Sequence, residues 1–225
     1  MIQVTKISKY FGGICALHEV SFHCASGTIM GLVGPNGSGK STLIHVLTSM
    51  LTYDSGHVEI HGGFGRTFQD VRVWEQMTVL ENVLLMTQEH HPVTSLFEFY
   101  PDETFARRII ERVGLVSHMH IQAKYLSYGQ RKLLEIGRAL ALNASNLFFD
   151  EPFAGLFPEM IERVKAIVRE EKARGVSIVL IEHDMSVIRE LCDTIVVLDA
   201  GHIIASGNPE EVLADARVIE AYLGK

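Results

Sequence analysis

The run Gly34-Pro35-Asn36-Gly37-Ser38-Gly39-Lys40-Ser41-Thr42 fits the spacing G-x-x-x-x-G-K-[ST], and the chemistry of that spacing is the holding of phosphates. Glycines let backbone N–H groups converge on an anion without Cβ clashes, and a helix N-terminus behind them adds partial positive charge. Lys40 then reaches the β- and γ-phosphates of a nucleoside triphosphate, and the Ser41 hydroxyl completes a Mg²⁺ site. Gly34, Asn36, Gly37, Ser38, Gly39 and Thr42 complete the cradle. Two acids, Asp150 and Glu151, close the apolar run Leu147-Phe148-Phe149. Ligands of an open α/β sheet sit at the carboxyl ends of its strands, so these acids are expected to face the same phosphates. Asp150 suits the Mg²⁺ shell, and Glu151 suits the base that orients an attacking water. Taken alone, an apolar strand ending in Asp-Glu is as well explained by a solvated turn. Its pairing with the phosphate loop favours the functional reading.

These residues need elements to hold them. Ile29 to Val33 reads as a buried strand entering the loop, and Ser41 to Met50 as the helix leaving it. Further β-type runs are Ile2 to Thr5, Val20 to Cys24, and Val58 to His61 behind the turn Asp54-Ser55-Gly56. From about Thr78 the character changes. Val79 to Glu89, Asp102 to Val113 and Gln130 to Leu142 read as helices, with Pro92 and Pro101 interrupting between them. Alternation of strand and helix then resumes. Leu147 to Phe149 is a strand, and Pro158 to Arg174 a helix with Ile161, Val164 and Val168 on one face and Gly175 as its C-cap. Ile178 to Ile181 is the next strand, Met185 to Leu191 a helix, and Ile195–Leu198 with Ile203–Ala205 a hairpin about Ala200-Gly201. The pattern predicts an α/β fold, a parallel core interrupted by a helical insertion, as one domain with two lobes. Residues 1–68 plus 143–225 would form the first lobe and 69–142 the second.

The chain's 225 residues are enough for one such domain. No stretch approaches the ~18 consecutive apolar residues of a membrane span, so a membrane role is expected to run through a partner. The N-terminus carries no signal-peptide pattern. A net charge of −7 without a basic block gives no support for binding nucleic acid. Cys15, Cys24 and Cys192 are odd in number and far apart, and read as reduced, mostly buried small apolar residues of a cytoplasmic protein.

Leu126-Ser127-Tyr128-Gly129-Gln130 places small residues at another helix start, a second place built to receive an anion. By itself it is only a Ser-capped helix. The order phosphate loop, Gln69, Leu-Ser-x-Gly-Gln, Asp150-Glu151-Pro152, His183 resembles the ATP-binding subunits of ABC transporters over nearly the whole chain. The resemblance implies a P-loop NTPase (RecA-like) core with an antiparallel β region and an inserted helical subdomain. It implies ATP and Mg²⁺ as ligands, Gln69 sensing Mg²⁺ and water while coupling to a membrane subunit, and His183 as the switch histidine at the γ-phosphate. Tyr10 matches the aromatic that stacks on adenine, with packing on the core as the competing reading. Ser127 and Gly129 would touch ATP held by a second subunit, so that each site is completed only in a dimer.

Arg66-Thr67-Phe68-Gln69-Asp70, Thr78 to Val83, Ala154-Gly155-Leu156, Ile181 to Met185 and the ending Val218 to Gly224 are similar to ATPases of branched-chain amino acid importers and their urea and short-amide relatives. That resemblance implies a transmembrane permease as partner, a homo- or heterodimeric ATPase pair, an extracytoplasmic substrate-binding protein reached through the permease, and a peripheral place on the cytoplasmic face of the membrane. The alternatives are a soluble, non-transport ATPase of the same type, the ATPase of a lipid or lipopolysaccharide exporter, and a regulatory nucleotide-binding subunit. Two departures stand out. The chain is short between Ile60 and Arg66, and Phe157 replaces a polar residue in the Ala-Gly-Leu-x-Pro loop, so hydrolysis is expected to survive with altered subunit coupling. His90-His91 and His118-x-His120 lack a carboxylate or cysteine partner at metal-binding spacing and read as solvated loop histidines. Leu96-Phe97-Glu98-Phe99-Tyr100 is either core or a docking patch for a membrane subunit.

Overall fold

A computed structural model describes residues 1–87 and 102–223. Nine strands alternate with helices among these residues, in two sheets. β1 (Ile2–Phe11), β2 (Ile14–Cys24) and β4 (Ser55–Ile60) form an antiparallel sheet in the order β2-β1-β4. The second sheet has the order β5-β6-β7-β3-β8-β9, from β3 (Ile29–Val33), β5 (Phe64–Arg66), β6 (Asn146–Asp150), β7 (Ser177–Ile181), β8 (Thr194–Asp199) and β9 (His202–Gly207). Its pairs are parallel except β8 with β9, the hairpin expected about Ala200-Gly201.

The central strands β3, β6 and β7 are buried along their full length, as unbroken apolar runs require when both faces of a sheet are covered. Alternation divides their side chains between two cores. Met30, Leu32, Phe148, Val179 and Ile181 pack with α1 (Lys40–Leu47) and the antiparallel sheet. Ile29, Val33, Leu147, Phe149, Ile178 and Leu180 pack with the helices of the opposite face. There lie α2 (Val79–Met86), α3 (Glu103–Arg112) and α4 (Tyr128–Ala141) of the inserted segment, then α5 (Pro158–Ala173) and α6 (Met185–Leu191). Two short helices, α7 (Pro209–Leu213) and α8 (Ala216–Leu223), close the chain.

Several expected boundaries shift for local reasons. β1 runs to Phe11 rather than Thr5, carried through register shifts and a left-handed Lys6 at φ 48° that interrupt its alternation. α5 ends at Ala173 with Arg174 as C-cap, and Gly175 follows in the left-handed conformation. α4 begins at Tyr128, two residues before Gln130, because Ser127 and Gln130 form a reciprocal capping box. β5 gives little local signal, being three residues long with Gly65 at its centre and Gly62-Gly63 before it. The short link from Ile60 to β5 is tied down by Asn146, whose Nδ2 donates to His61 O (2.9 Å) and Gly63 O (3.0 Å). His90-His91, Leu96–Tyr100, Pro92, Pro101, the expected end of α2 at Glu89, and Gly224 lie outside the described residues.

Candidate active site

The phosphate loop leaves the carboxyl end of β3 and enters α1, where the sequence pattern places it. Gly34 and Gly39 both have positive φ, at 149° and 107°. A Cβ at Gly34 would stand 2.1 Å from Leu198 O, and one at Gly39 would stand 2.6 Å from Ala16 O. Only glycine allows backbone to approach backbone so closely. Lys40 Nζ bends back over the loop and donates to Gly34 O (2.7 Å) and Pro35 O (2.9 Å). Burial lowers the Lys40 ammonium from its ordinary value, and the charges of Glu151 and Asp150 oppose that shift. The Ser38 hydroxyl is buried with no hydrogen-bond partner, as expected for a group awaiting a phosphate oxygen.

A cleft of about 460 Å³ gathers Asn36, Gly37, Ser38, Gly39, Lys40, Ser41, Thr42, Gln69, Asp150, Glu151 and His183 on its walls. Residues far apart in sequence meet there because parallel neighbours β3, β6 and β7 all point their carboxyl ends at it. Asp150 ends β6, buried, with Arg66 Nη2 3.8 Å from its Oδ2. Burial pushes its carboxyl up, Arg66 pulls it down, and Glu151 adds a further upward push. Glu151 follows with φ 48°, a left-handed conformation uncommon for a side chain of its size and of the kind found at functional sites. His183 Nε2 lies 3.0 Å from Glu151 Oε1. Buried Asp150 and exposed Ser41, both on the wall of the phosphate cleft, supply hard oxygen donors of the kind that fits Mg²⁺.

The sequence reading missed three contributors. Cys15, expected to be a buried apolar residue like Cys24 and Cys192, is instead half-buried on the wall of this cleft, between Ile14 and Ala16. The pairing Tyr10↔Cys15 across β1 and β2 carries it there, and the turn at Gly12-Gly13 was the available signal. Glu182 is buried beneath His183. Its Oε1 accepts from Phe153 N and its Oε2 from His183 N, both at 3.2 Å, joining the loops that follow β6 and β7. Partial burial on α8 raises the Tyr222 phenol, although the residue stays 38% exposed, and the nearby Gly34 backbone opposes that shift.

Ser127 and Gly129 stand apart from this cleft, whereas the Tyr10 phenol neighbours Cys15 of its wall, which pushes that phenol up. The Tyr10 ring is exposed, and its backbone N–H donates to Asp54 Oδ2 (2.7 Å). Ser127 is exposed at the start of α4, where its hydroxyl accepts from Gln130 N. Gly129 is buried, and a Cβ there would meet Met160 Sδ at 2.8 Å. Its smallness therefore also serves packing on α5. His118 corrects the solvated-loop reading: it is half-buried, with its Nε2 3.0 Å from Gln130 Nε2, while His120 is exposed. No cluster of metal-ligating side chains occurs among the described residues. Phe157 stands 73% exposed at the start of α5.

The ABC transporter family model matches residues 17–154, and the model of the branched-chain amino acid ATP-binding cassette transporter matches residues 202–225. The chain is 38% identical to a probable branched-chain amino acid transport ATP-binding protein LivG of Methanocaldococcus jannaschii, covering 100% of this chain and 98% of that protein. It is 34% identical to the high-affinity branched-chain amino acid transport ATP-binding protein LivG of Salmonella typhimurium, with the same coverage. Among solved structures it is similar to a nucleotide-free ATP-binding cassette from an ABC transporter, with a TM-score of 0.86, 35% identity and coverage of 100% of this chain and 99% of that one. It is also similar to an ABC transporter cassette in its ADP conformation, with a TM-score of 0.84, 35% identity and the same coverage.

Proposed function

The chain belongs to the ATP-binding cassette family of ABC transporters, and on that premise we propose that it powers import of branched-chain or other small amino acids and amides through a separate membrane permease. It is an ATPase, and the observation that carries the chemistry is the meeting of Lys40, Glu151 and His183 in one cleft. Subunits of this family work with transmembrane permease components. No helix among the described residues is long and apolar enough to cross a membrane, which accords with a peripheral place on the permease's cytoplasmic side. The match of the C-terminal segment to the branched-chain amino acid transporter model supports the cargo class over an exporter or a soluble mechanical ATPase.

Ser41, Gln69 and Asp150 would hold Mg²⁺, which neutralises charge on the β- and γ-oxygens when bound. Backbone N–H groups of 37–42 and Lys40 hold the triphosphate in line. Glu151 takes the proton of the attacking water, and His183 bonds the γ-phosphate while keeping Glu151 oriented. Tyr10 lies against the adenine from the exposed end of β1. Ser127 and Gly129 of each subunit close over the ATP of a second subunit, in a homo- or heterodimer. The core lobe comprises 1–68 with 143–225, and the helical lobe 69–142. A binding protein outside the membrane delivers the cargo to the permease.

Gentle affinity purification from native membranes, with mass spectrometry of the co-purifying chains, tests the assembly. Recovery of a polytopic permease is expected. Recovery of soluble partners alone, under conditions that preserve a known transporter complex, would contradict the transport reading.

A further inference from the structure

Gln69 sits in an irregular segment between β5 and α2, yet the cleft needs its side chain in one place. This segment is fastened at both ends, at Thr67, whose Oγ1 also accepts from Asp150 N, and from Trp74 to Thr78. Thr67 N–H donates to Phe148 O at its start, and Trp74 N–H donates to Asn82 Oδ1 at its end. Between them, Glu135 of α4 supplies one carboxylate oxygen to both flanks of Gln69: Oε1 accepts from Phe68 N (3.3 Å) and Arg72 N (2.9 Å). Arg138, one turn further along α4, donates to Arg72 O. The guanidinium groups of Arg66 and Arg72 each lie over the Phe68 ring, at 4.6 and 4.1 Å from its centre.

Glu135 is 3% exposed, and its second oxygen, Oε2, is buried without a partner. Burying a carboxylate in this way is costly, and the packing of α4 would be served by an apolar side chain of the same size. What the acid supplies in return is one acceptor for two backbone N–H groups. Its helix starts at the Ser127–Gln130 capping box, so one rigid element joins the Leu-Ser-Tyr-Gly-Gln motif to the Gln69 loop. Glu135 also lines a separate cavity of about 770 Å³ with Arg66, Arg72 and Arg138, and touches no part of the nucleotide cleft.

We propose that Glu135 is a positioning residue for Gln69, holding the Gln69 loop against the helix that carries the Leu-Ser-Tyr-Gly-Gln motif. This rests on the ATPase reading of the cleft. Glu135→Met keeps the volume and removes the acceptor; it is expected to lower kcat on the order of 10- to 100-fold, the cost of a displaced group at a reacting centre, with KM for ATP little changed. Glu135→Gln, whose amide oxygen can accept both N–H groups, restores kcat towards the unmodified value. Because Glu135 acts through Gln69, adding Glu135→Met to Gln69→Ala costs nothing beyond Gln69→Ala alone. Should the Met variant fail to fold, Glu135→Asp, which withdraws the acceptor by one methylene, is expected to lower kcat in the same way. Amide hydrogen exchange over residues 68–72 provides a readout independent of turnover, and it rises in the Met or Asp variant. Unchanged exchange, additive losses in the double variant, or a Gln variant as impaired as Met would each overturn the proposal. An unmodified protein that turned over no ATP, yet showed the exchange difference, would instead count against the ATPase reading.

Discussion

Glu151 and His183 lie just past the carboxyl ends of neighbouring parallel strands, and their side chains meet at 3.0 Å in the phosphate cleft. Neither residue is held by its own strand alone. Glu151 N donates to Ile181 O (3.0 Å), and the buried Glu182 carboxylate fastens both following loops from beneath. The pair is thereby preorganised, which is what a base and its orienting partner require.

Removing the imidazole should therefore disturb chemistry more than binding. His183→Ala is expected to lower kcat by about 100-fold or more, within the range of a general acid–base contribution, while KM for ATP changes little. Steady-state phosphate release over a range of ATP concentrations separates the two effects.

Lys40 has a different signature. Its ammonium now satisfies Gly34 O and Pro35 O, and in the nucleotide complex it is freed to pair with phosphate. Lys40→Met is expected to weaken ATP binding by roughly 2–3 kcal/mol, about a hundredfold in Kd. Titration with a fluorescent ATP analogue measures this directly.

Stability should carry the mark of Glu135. Burial pushes its carboxyl up to about 7, above the 4.5 of the free side chain. Between those values the folded state holds a proton that the unfolded chain has released, so this group's contribution to stability falls as pH rises and is level above about 7. Glu135→Gln escapes this cost. Relative to the unmodified protein, the variant should gain stability from pH 4.5 to 7, by about 3 kcal/mol, and little more beyond. Urea midpoints at pH 5, 6, 7 and 8 follow the trend.

The backbone around Gly34 leaves no room for any side chain. With 2.1 Å between a built Cβ and Leu198 O, Gly34→Ala must move β8 or the loop. It is expected to cost several kcal/mol or to prevent folding, in the upper range of single substitutions. Thermal unfolding monitored by circular dichroism checks it.

Much of this was legible in the sequence where local pattern and tertiary role agree. Ile29–Val33 and Met185–Leu191 form as read, the first as an unbroken apolar run and the second between Asp184 as N-cap and the extended Cys192 as C-cap. Lys40, Asp150, Glu151 and His183 converge because strand ends in a parallel sheet converge. What escaped was non-local. The length of β1 is hidden by its register shifts, and β5 by having only three residues. Cys15 reaches the cleft through a hairpin whose register depends on the full length of β1. The fastening roles of Glu135 and Glu182 leave no local signal, because Phe68 N and Arg72 N for the one and Phe153 N for the other lie far away in the chain.

The measurement that bears most directly on the account is the mass of Glu151→Gln by light scattering, with saturating ATP and Mg²⁺ and again without nucleotide. The substitution keeps the side chain's size and removes the charge that activates water, so a nucleotide-sandwiched pair should accumulate unhydrolysed. The account predicts a shift from the 25.1 kDa chain to twice that mass, with two ATP molecules retained per pair. A chain that binds ATP and remains at 25.1 kDa, alone and when mixed with its co-purifying ATPase partner, would contradict it.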